Sequence, residues 1–149
     1  MTVRQILYAM QFKGSVTPAG ENAVRAVTSS PSTAIRSVMG DVGLGSAIES
    51  IPGKEATLES VVQFASETSF EESGAITFGD SQHTLTFSTV GQGYLGPSPQ
   101  EGVSHGGVVW RLESGTGQFE GACGLITSNF TVASDGGVVD NQFGVMYVP

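Results

Sequence analysis

Between Arg4 and Lys13 the side chains alternate, with Ile6, Tyr8, Met10 and Phe12 on one parity and Gln5, Leu7, Ala9, Gln11 and Lys13 on the other. A period of two marks a β-strand with one buried face, and Gly14 is expected to end it. A second segment, Thr57 to Thr68, sets Leu58, Val62 and Phe64 against Glu59, Val61, Gln63, Ala65 and Glu67. Leu58, Val61, Val62 and Ala65 also fit helical spacing, but the β-branched and aromatic residues at its centre favour a strand. From Ser73 the pattern firms. Ala75 to Phe78 and His83 to Val90 flank the turn Gly79-Asp80-Ser81 as a hairpin in which Leu85 and Phe87 alternate with Thr84, Thr86 and Ser88. Val108 to Leu112, Gly121 to Ala133 and Val138 to Val148 form three closing strands, reversed at Ser114-Gly115-Thr116-Gly117 and at Asp135-Gly136-Gly137.

Two stretches break the pattern. Ser15 to Lys54, punctuated by Pro18, Gly20, Pro31, Gly40, Gly43, Gly45, Pro52 and Gly53, reads as a loop, one or two short strands or a single helical turn, and a long connection. Gly91 to Pro99 reads as an irregular loop, with Tyr94 on a lip over a mouth. Glycines inside strands, at Gly106, Gly107, Gly124 and Gly144, mark bulges, corners or close approach of a neighbour, as closed sheets require. About eight strands suffice to close a small barrel around side chains or one small ligand. The expectation is a single all-β domain over residues 1–149, an antiparallel closed β-barrel of the calycin kind.

Composition sharpens this. The 21 glycines are about twice the share expected from an average usage of roughly 7%, and favour turns over helices. A net charge of -8 with six basic residues offers no electrostatic footprint for phosphates, so neither nucleic acid nor an anionic membrane surface is an expected partner. No apolar run approaches the roughly 20 residues of a membrane helix. With Cys123 the sole cysteine, an internal disulfide is excluded, and a reducing cytoplasm is the expected compartment. The N-terminal segment reads as a first strand rather than a signal peptide.

The hairpin Gly115-Thr116-Gly117-Gln118-Phe119-Glu120-Gly121-Ala122-Cys123-Gly124 resembles the late hairpin of allene oxide cyclases and dirigent proteins, where a Gly-x-Gly turn precedes a Phe and a Gly-Ala-x-Gly strand start. It is also similar to small bacterial barrels of unassigned function placed beside them. The resemblance covers Ser104 to Val148, about the last third, and no catalytic position of those families carries over to the N-terminal half. It implies an eight-stranded barrel with an apolar lumen that forms dimers or trimers. It further implies a hydrophobic or aromatic intermediate whose cyclisation or coupling is steered with no metal or organic cofactor. Read from the residues alone, Gly115 and Gly117 supply positive φ at the reversal, Phe119 caps the barrel end, and Gly121, Ala122 and Gly124 allow close packing.

Candidate chemistry is sparse. Two histidines, His83 and His105, and one cysteine give no metal-ligand spacing, and both histidines read as solvated. Gly91-Gln92-Gly93-Tyr94-Leu95-Gly96 spells a dinucleotide fingerprint, but Pro97 and Pro99 stand where its helix is required. No nucleophile elbow is present, and Cys123 reads as a small buried thiol. What remains is a polar set, Gln11, Gln63, Glu67, Arg111, Asn129, Asn141 and Gln142, on strands otherwise apolar. The expected ligand-binding residues are Met10, Phe12, Phe64, Leu85, Phe87, Tyr94, Trp110 and Phe130. For catalysis, Glu67 or His83 is the candidate general base, with Tyr8 or Asn129 donating to developing negative charge.

The leading function is a small-molecule-binding barrel that catalyses or steers a cofactor-independent isomerisation or cyclisation of a hydrophobic substrate. The alternatives are a lipocalin-like carrier and an interaction barrel with no ligand. What fills the lumen separates them. An open cavity with two or more buried ionisable groups favours an enzyme, a wholly apolar cavity a carrier, and a closed core the third reading.

Overall fold

A computed structural model describes residues 2–149. The described residues form eleven strands: β1 (Arg4–Pro18), β2 (Ala23–Ser30), β3 (Thr33–Gly40), β4 (Gly43–Ser50), β5 (Ala56–Phe64), β6 (Ser69–Phe78), β7 (His83–Thr89), β8 (Gly93–Pro97), β9 (Val103–Thr116), β10 (Cys123–Ala133) and β11 (Gly137–Val148). All pairings are antiparallel, and the order β1-β2-β5-β6-β7-β9-β10-β11 returns to β1, closing an eight-stranded barrel. Closure leaves the barrel without a free edge, the usual hazard of an open antiparallel sheet.

One stave of the barrel is made in two pieces. β7 pairs with β6 and β9 as far as Ser73↔Ser88 and Thr89↔Trp110; β8 then resumes the same place at Phe70↔Gly93 and Tyr94↔Gly107. Between the paired positions four residues on this stave stand against two on each neighbour, so Val90, Gly91 and Gln92 form a seam at mid-height. The stretch expected as loop thus holds a strand. Gly106 lies beside this seam, where an added Cβ would sit 1.8 Å from the Tyr94 carbonyl oxygen.

The N-terminal third is more ordered than its sequence suggests. β1 does not stop at Gly14: a Cβ there would lie 2.1 Å from the Val27 carbonyl oxygen, so glycine lets β1 run on, closely paired with β2, to Pro18. Residues 33–50 form the hairpin β3-β4, a two-stranded sheet outside the barrel. No long connection remains.

Inside the barrel the even-numbered residues of β1, β2, β5, β6, β10 and β11 face the lumen, as expected for strands with a period of two. Tyr8, Phe12, Leu58, Ile76, Leu85, Trp110, Ile126 and Met146 form the core. Gly117 (φ 60°) opens a short 3-10 turn, Gly117–Phe119, that tucks Phe119 under one end against Phe78, ring centroids 5.0 Å apart. The left-handed backbone falls on Gly117 and Gly121, not on Gly115, which instead lies against Phe119. Cys123, expected to be buried, faces outward and is exposed.

Candidate functional site

The barrel is plugged at one end only. Toward the other end, where β1 and β5 finish and β2, β6 and β11 begin, a cavity of about 220 Å³ opens. Its rim residues Val16, Val24, Val62, Leu95 and Val132 are half-buried, and its walls are almost wholly apolar. A collar of three phenylalanines stands at the mouth, with Phe70 edge-on to both Phe64 (6.1 Å) and Phe130 (5.9 Å). Beneath, Trp110 stacks on Phe87 at 3.9 Å.

The polar groups sit at the bottom. Glu72 of β6 and Asp140 of β11 line the cavity with Ser128 and Thr28, and all four are buried. Each carboxylate is held. Ser60 Oγ donates to Glu72 Oε2 at 2.6 Å. Ser128 Oγ donates to Asp140 Oδ1 and Gln142 Nε2 to Asp140 Oδ2, both at 2.7 Å. Tyr8 Oη donates in turn to Gln142 Oε1 at 2.8 Å, so a relay runs from the packed end of the lumen to Asp140.

Burial without a counter-ion sets the electrostatics. All six basic residues are exposed, and the three ion pairs found among the described residues, Arg25–Glu59, Arg36–Glu49 and Lys54–Asp80, lie on the outer surface. Desolvation therefore raises the Glu72 pKa from 4.5 to about 7, with the charge of Asp140 adding to it and the Ser60 hydrogen bond opposing. Asp140 is raised from 3.8 to about 6 by desolvation, against the hydrogen bonds from Gln142 and Ser128. Tyr8 is pushed well above its ordinary value, by desolvation first and the Asp140 charge second. Among the described residues two buried donors are unclaimed: the Thr28 hydroxyl and the Trp110 indole N–H have no hydrogen-bond partner, although the indole lies near enough to Glu72 to favour its charged form.

The residues singled out from sequence fall in several places. Phe64 and Phe130 line the cavity; Phe12, Leu85, Phe87 and Trp110 are buried in the core; Met10 is half-buried against it. Tyr94 points outward from β8 and is half-exposed. The four catalytic candidates do not converge. Tyr8 alone is in the lumen; Glu67 is exposed in the turn between β5 and β6; His83 begins β7 at the plugged end, its Nδ1 accepting from the Gln118 amide at 3.0 Å. Asn129 is on the outer wall, where Gln11, Asn141 and Asn129 form a row of amides, Gln11 Nε2 donating to Asn141 Oδ1 at 2.9 Å. Of the polar set only Gln142 reaches the lumen floor. Glu72 and Asp140 were not singled out. The signal was parity: Phe70, Glu72, Gly74, Ile76 and Phe78 share one face of β6, and Val138, Asp140, Gln142 and Met146 share one face of β11.

Among solved structures, the chain is similar to the pterocarpan synthase dirigent protein, with a TM-score of 0.52 at 15% identity over 97% of this chain and 88% of that one. The fold is that of a dirigent barrel. No family model matches the chain, and no curated protein does. Within the described residues no helix is long and apolar enough to cross a membrane, and no cluster of three or more His, Cys, Asp or Glu is placed to hold a metal ion.

Proposed function

We propose that the barrel binds a compact hydrophobic small molecule in its open cavity and steers a cofactor-independent isomerisation or cyclisation through proton transfer at Glu72 and Asp140. The observation that carries this reading is the pair of buried carboxyls at the bottom of an apolar cavity with no basic side chain beside them. A carrier gains nothing from two desolvated acids, each of which weakens the fold when ionised. An acid–base catalyst gains a group that titrates near its working pH. With a pKa of about 7, Glu72 both gives and takes a proton at neutral pH, while Asp140, at about 6, is the more ionised partner. Hydrogen bonding distinguishes the two: Asp140 accepts from two side chains, Ser128 and Gln142, and Glu72 from one, Ser60, so charge is better held on Asp140. Glu72 is the proton donor and acceptor, and Asp140, oriented by Ser128 and Gln142, stabilises positive charge developing on the ligand. Thr28 offers its free hydroxyl to an acceptor atom of the ligand.

Cavity size restricts the ligand. Sites for drug-sized molecules run from about 300 Å³ upward, so about 220 Å³ suits a compact one or two-ring body with few polar atoms. The similar solved barrel is named as a synthase; that supports the reading by analogy of fold. Native mass spectrometry of freshly purified protein tests it. The expected result is a retained small molecule that Ala26→Phe, which fills the cavity wall, fails to retain. Once that molecule is identified, turnover should fall at least about 100-fold in Glu72→Gln. Unchanged turnover in both Glu72→Gln and Asp140→Asn would overturn the assignment, and retention without conversion would make the barrel a carrier.

A further inference from the structure

The floor of the cavity is unbalanced in hydrogen bonding as well as in charge. Ser60 and Ser128 each commit their one hydroxyl proton to a carboxylate, and Gln142 gives an amide proton to Asp140 while its oxygen takes the Tyr8 hydroxyl. An ionised carboxylate offers about four acceptor sites; side chains fill one on Glu72 and two on Asp140. Thr28, 5% exposed and lining the same cavity, adds a hydroxyl that no protein group engages. The Trp110 indole N–H is already directed to Glu72. Acceptors are therefore in surplus on this floor, and donors are few.

Charge points the same way. Glu72 and Asp140 are the ionisable residues among those lining the cavity, and they come from opposite walls, since β6 and β11 stand four places apart in the ring of eight strands. Every basic side chain is exposed, and the chain carries a net charge of -8. Buried charges are ordinarily paired, and an acidic cleft with low-dielectric walls focuses a field that draws cations inward. Above the floor the lining becomes apolar, with valines at the rim and the collar of Phe64, Phe70 and Phe130. A ligand that satisfies both levels has a cationic N–H donor at one end and a compact apolar body at the other.

We infer that the cavity takes a compact hydrophobic amine as its ammonium ion, the nitrogen seated between Glu72 and Asp140 and the apolar body against the phenylalanine collar. This rests on the reading of the cavity as a ligand site and does not require the isomerisation assigned to it. A primary ammonium has three N–H donors, one each for Glu72, Asp140 and the Thr28 oxygen, which leaves the Thr28 proton for an acceptor elsewhere on the ligand. A carboxylate or phosphate ligand would meet like charge, and a ketone or ether would find few donors. Size agrees: an apolar cavity of about 150 Å³ holds benzene, and about 220 Å³ leaves room for an aminomethyl group beside one ring.

Isothermal titration calorimetry of the full chain with three ligands that share one ring, benzylamine, benzyl alcohol and benzoate, tests this at pH 5, 6.5 and 8. The expected result at pH 8 is benzylamine bound at least about tenfold more tightly than benzyl alcohol, with benzoate the weakest of the three. Benzylamine affinity should rise about tenfold or more from pH 5 to pH 8, because an alkyl ammonium, like a Lys side chain, stays protonated there while the floor carboxyls lose their protons. Tyr8 of β1 is the other titratable group facing the lumen, and it stays protonated throughout; β2, β5, β7, β8, β9 and β10 present none. At pH 6.5, buffers of different ionisation enthalpy should reveal protons released to solvent on binding the amine and none on binding the alcohol. Glu72→Gln and Asp140→Asn, which keep the side-chain volume and remove a buried charge, should each weaken the amine at least about tenfold and the alcohol by less than about threefold. Equal affinity for amine and alcohol, tighter binding of benzoate, an amine affinity that falls as pH rises, or indifference of the amine to both variants would overturn the inference and leave the cavity a ligand site. Binding of all three that is absent, or unchanged in Ala26→Phe, would overturn it together with the reading of the cavity.

Discussion

The two ends of the lumen are enclosed by the same strands and filled in opposite ways. At the plugged end, Leu85, Ile126, Met146 and Ile76 are sealed over by Phe119, and they bury their apolar area completely or nearly so. At the open end, Val16, Val24, Val62 and Leu95 are only half-buried, and the cavity between them reaches down to Glu72 and Asp140. Close packing and buried polar groups are therefore divided along one barrel. The close-packed end supplies hydrophobic stabilisation, at roughly 25 cal/mol per Å² of buried apolar surface; the open end draws on it, because desolvated carboxyls resist ionising there. A site with raised pKa values is tolerable when another part of the same core is fully packed.

The largest expected difference comes from truncating matched leucines. Leu85→Ala at the plugged end should lose about 4 kcal/mol in urea denaturation, as large-to-small changes in sealed cores do, whereas Leu95→Ala on the rim should lose about 1 kcal/mol. Equal losses would break the distinction between the ends.

Next comes pH. Glu72 binds its proton more tightly folded than unfolded, so its contribution to stability is fully present below about pH 4.5 and is lost as pH rises to about 7. Across that window wild-type stability should fall by about 3 kcal/mol relative to Glu72→Gln, since a shift of this size corresponds to about 1.4 kcal/mol per pH unit. Denaturant melts at pH 4.5, 6 and 8 measure it, and Asp140→Asn should show the same sign in a window ending near pH 6.

Smaller effects sharpen the contrast. Ala56→Phe inserts bulk into the sealed end and should lose about 2 kcal/mol, whereas Ala26→Phe, entering the cavity, should lose under about 1 kcal/mol. Last, Glu67→Gln, in the exposed turn at the open end, should change stability by no more than about 0.5 kcal/mol by the same denaturation assay.

Most of the barrel was legible because a buried strand face leaves a period of two. Tyr8 and Phe12, Leu58, Leu85 and Phe87, and Trp110 all announce their inward parity, and the glycine-rich turns mark where the chain reverses. The hairpin β3-β4 was not legible, since Met39 and Leu44 are exposed and its strands follow no core. The site was legible only in part. Tyr8 and Gln142 stood out, and both belong to the Asp140 relay. Glu72 was hidden beside Glu71, an acidic pair that looks like solvated surface until the parity of Phe70 and Ile76 turns one of the two inward. Residue type alone misdirects at such places, because a buried acid breaks the rule by which buried residues are recognised.

The divided stave between β6 and β9 uncouples the register of the rim from that of the wall below it. Because β8 starts its own register after Val90, Gly91 and Gln92, residues can be gained or lost at that seam without sliding β7 against its partners. The lip of the mouth, Leu95 included, thus tolerates a change in length or shape while the sealed end keeps its packing. Substitutions within the five residues of β8 reshape the rim of the cavity while Glu72 and Asp140 keep their places on β6 and β11.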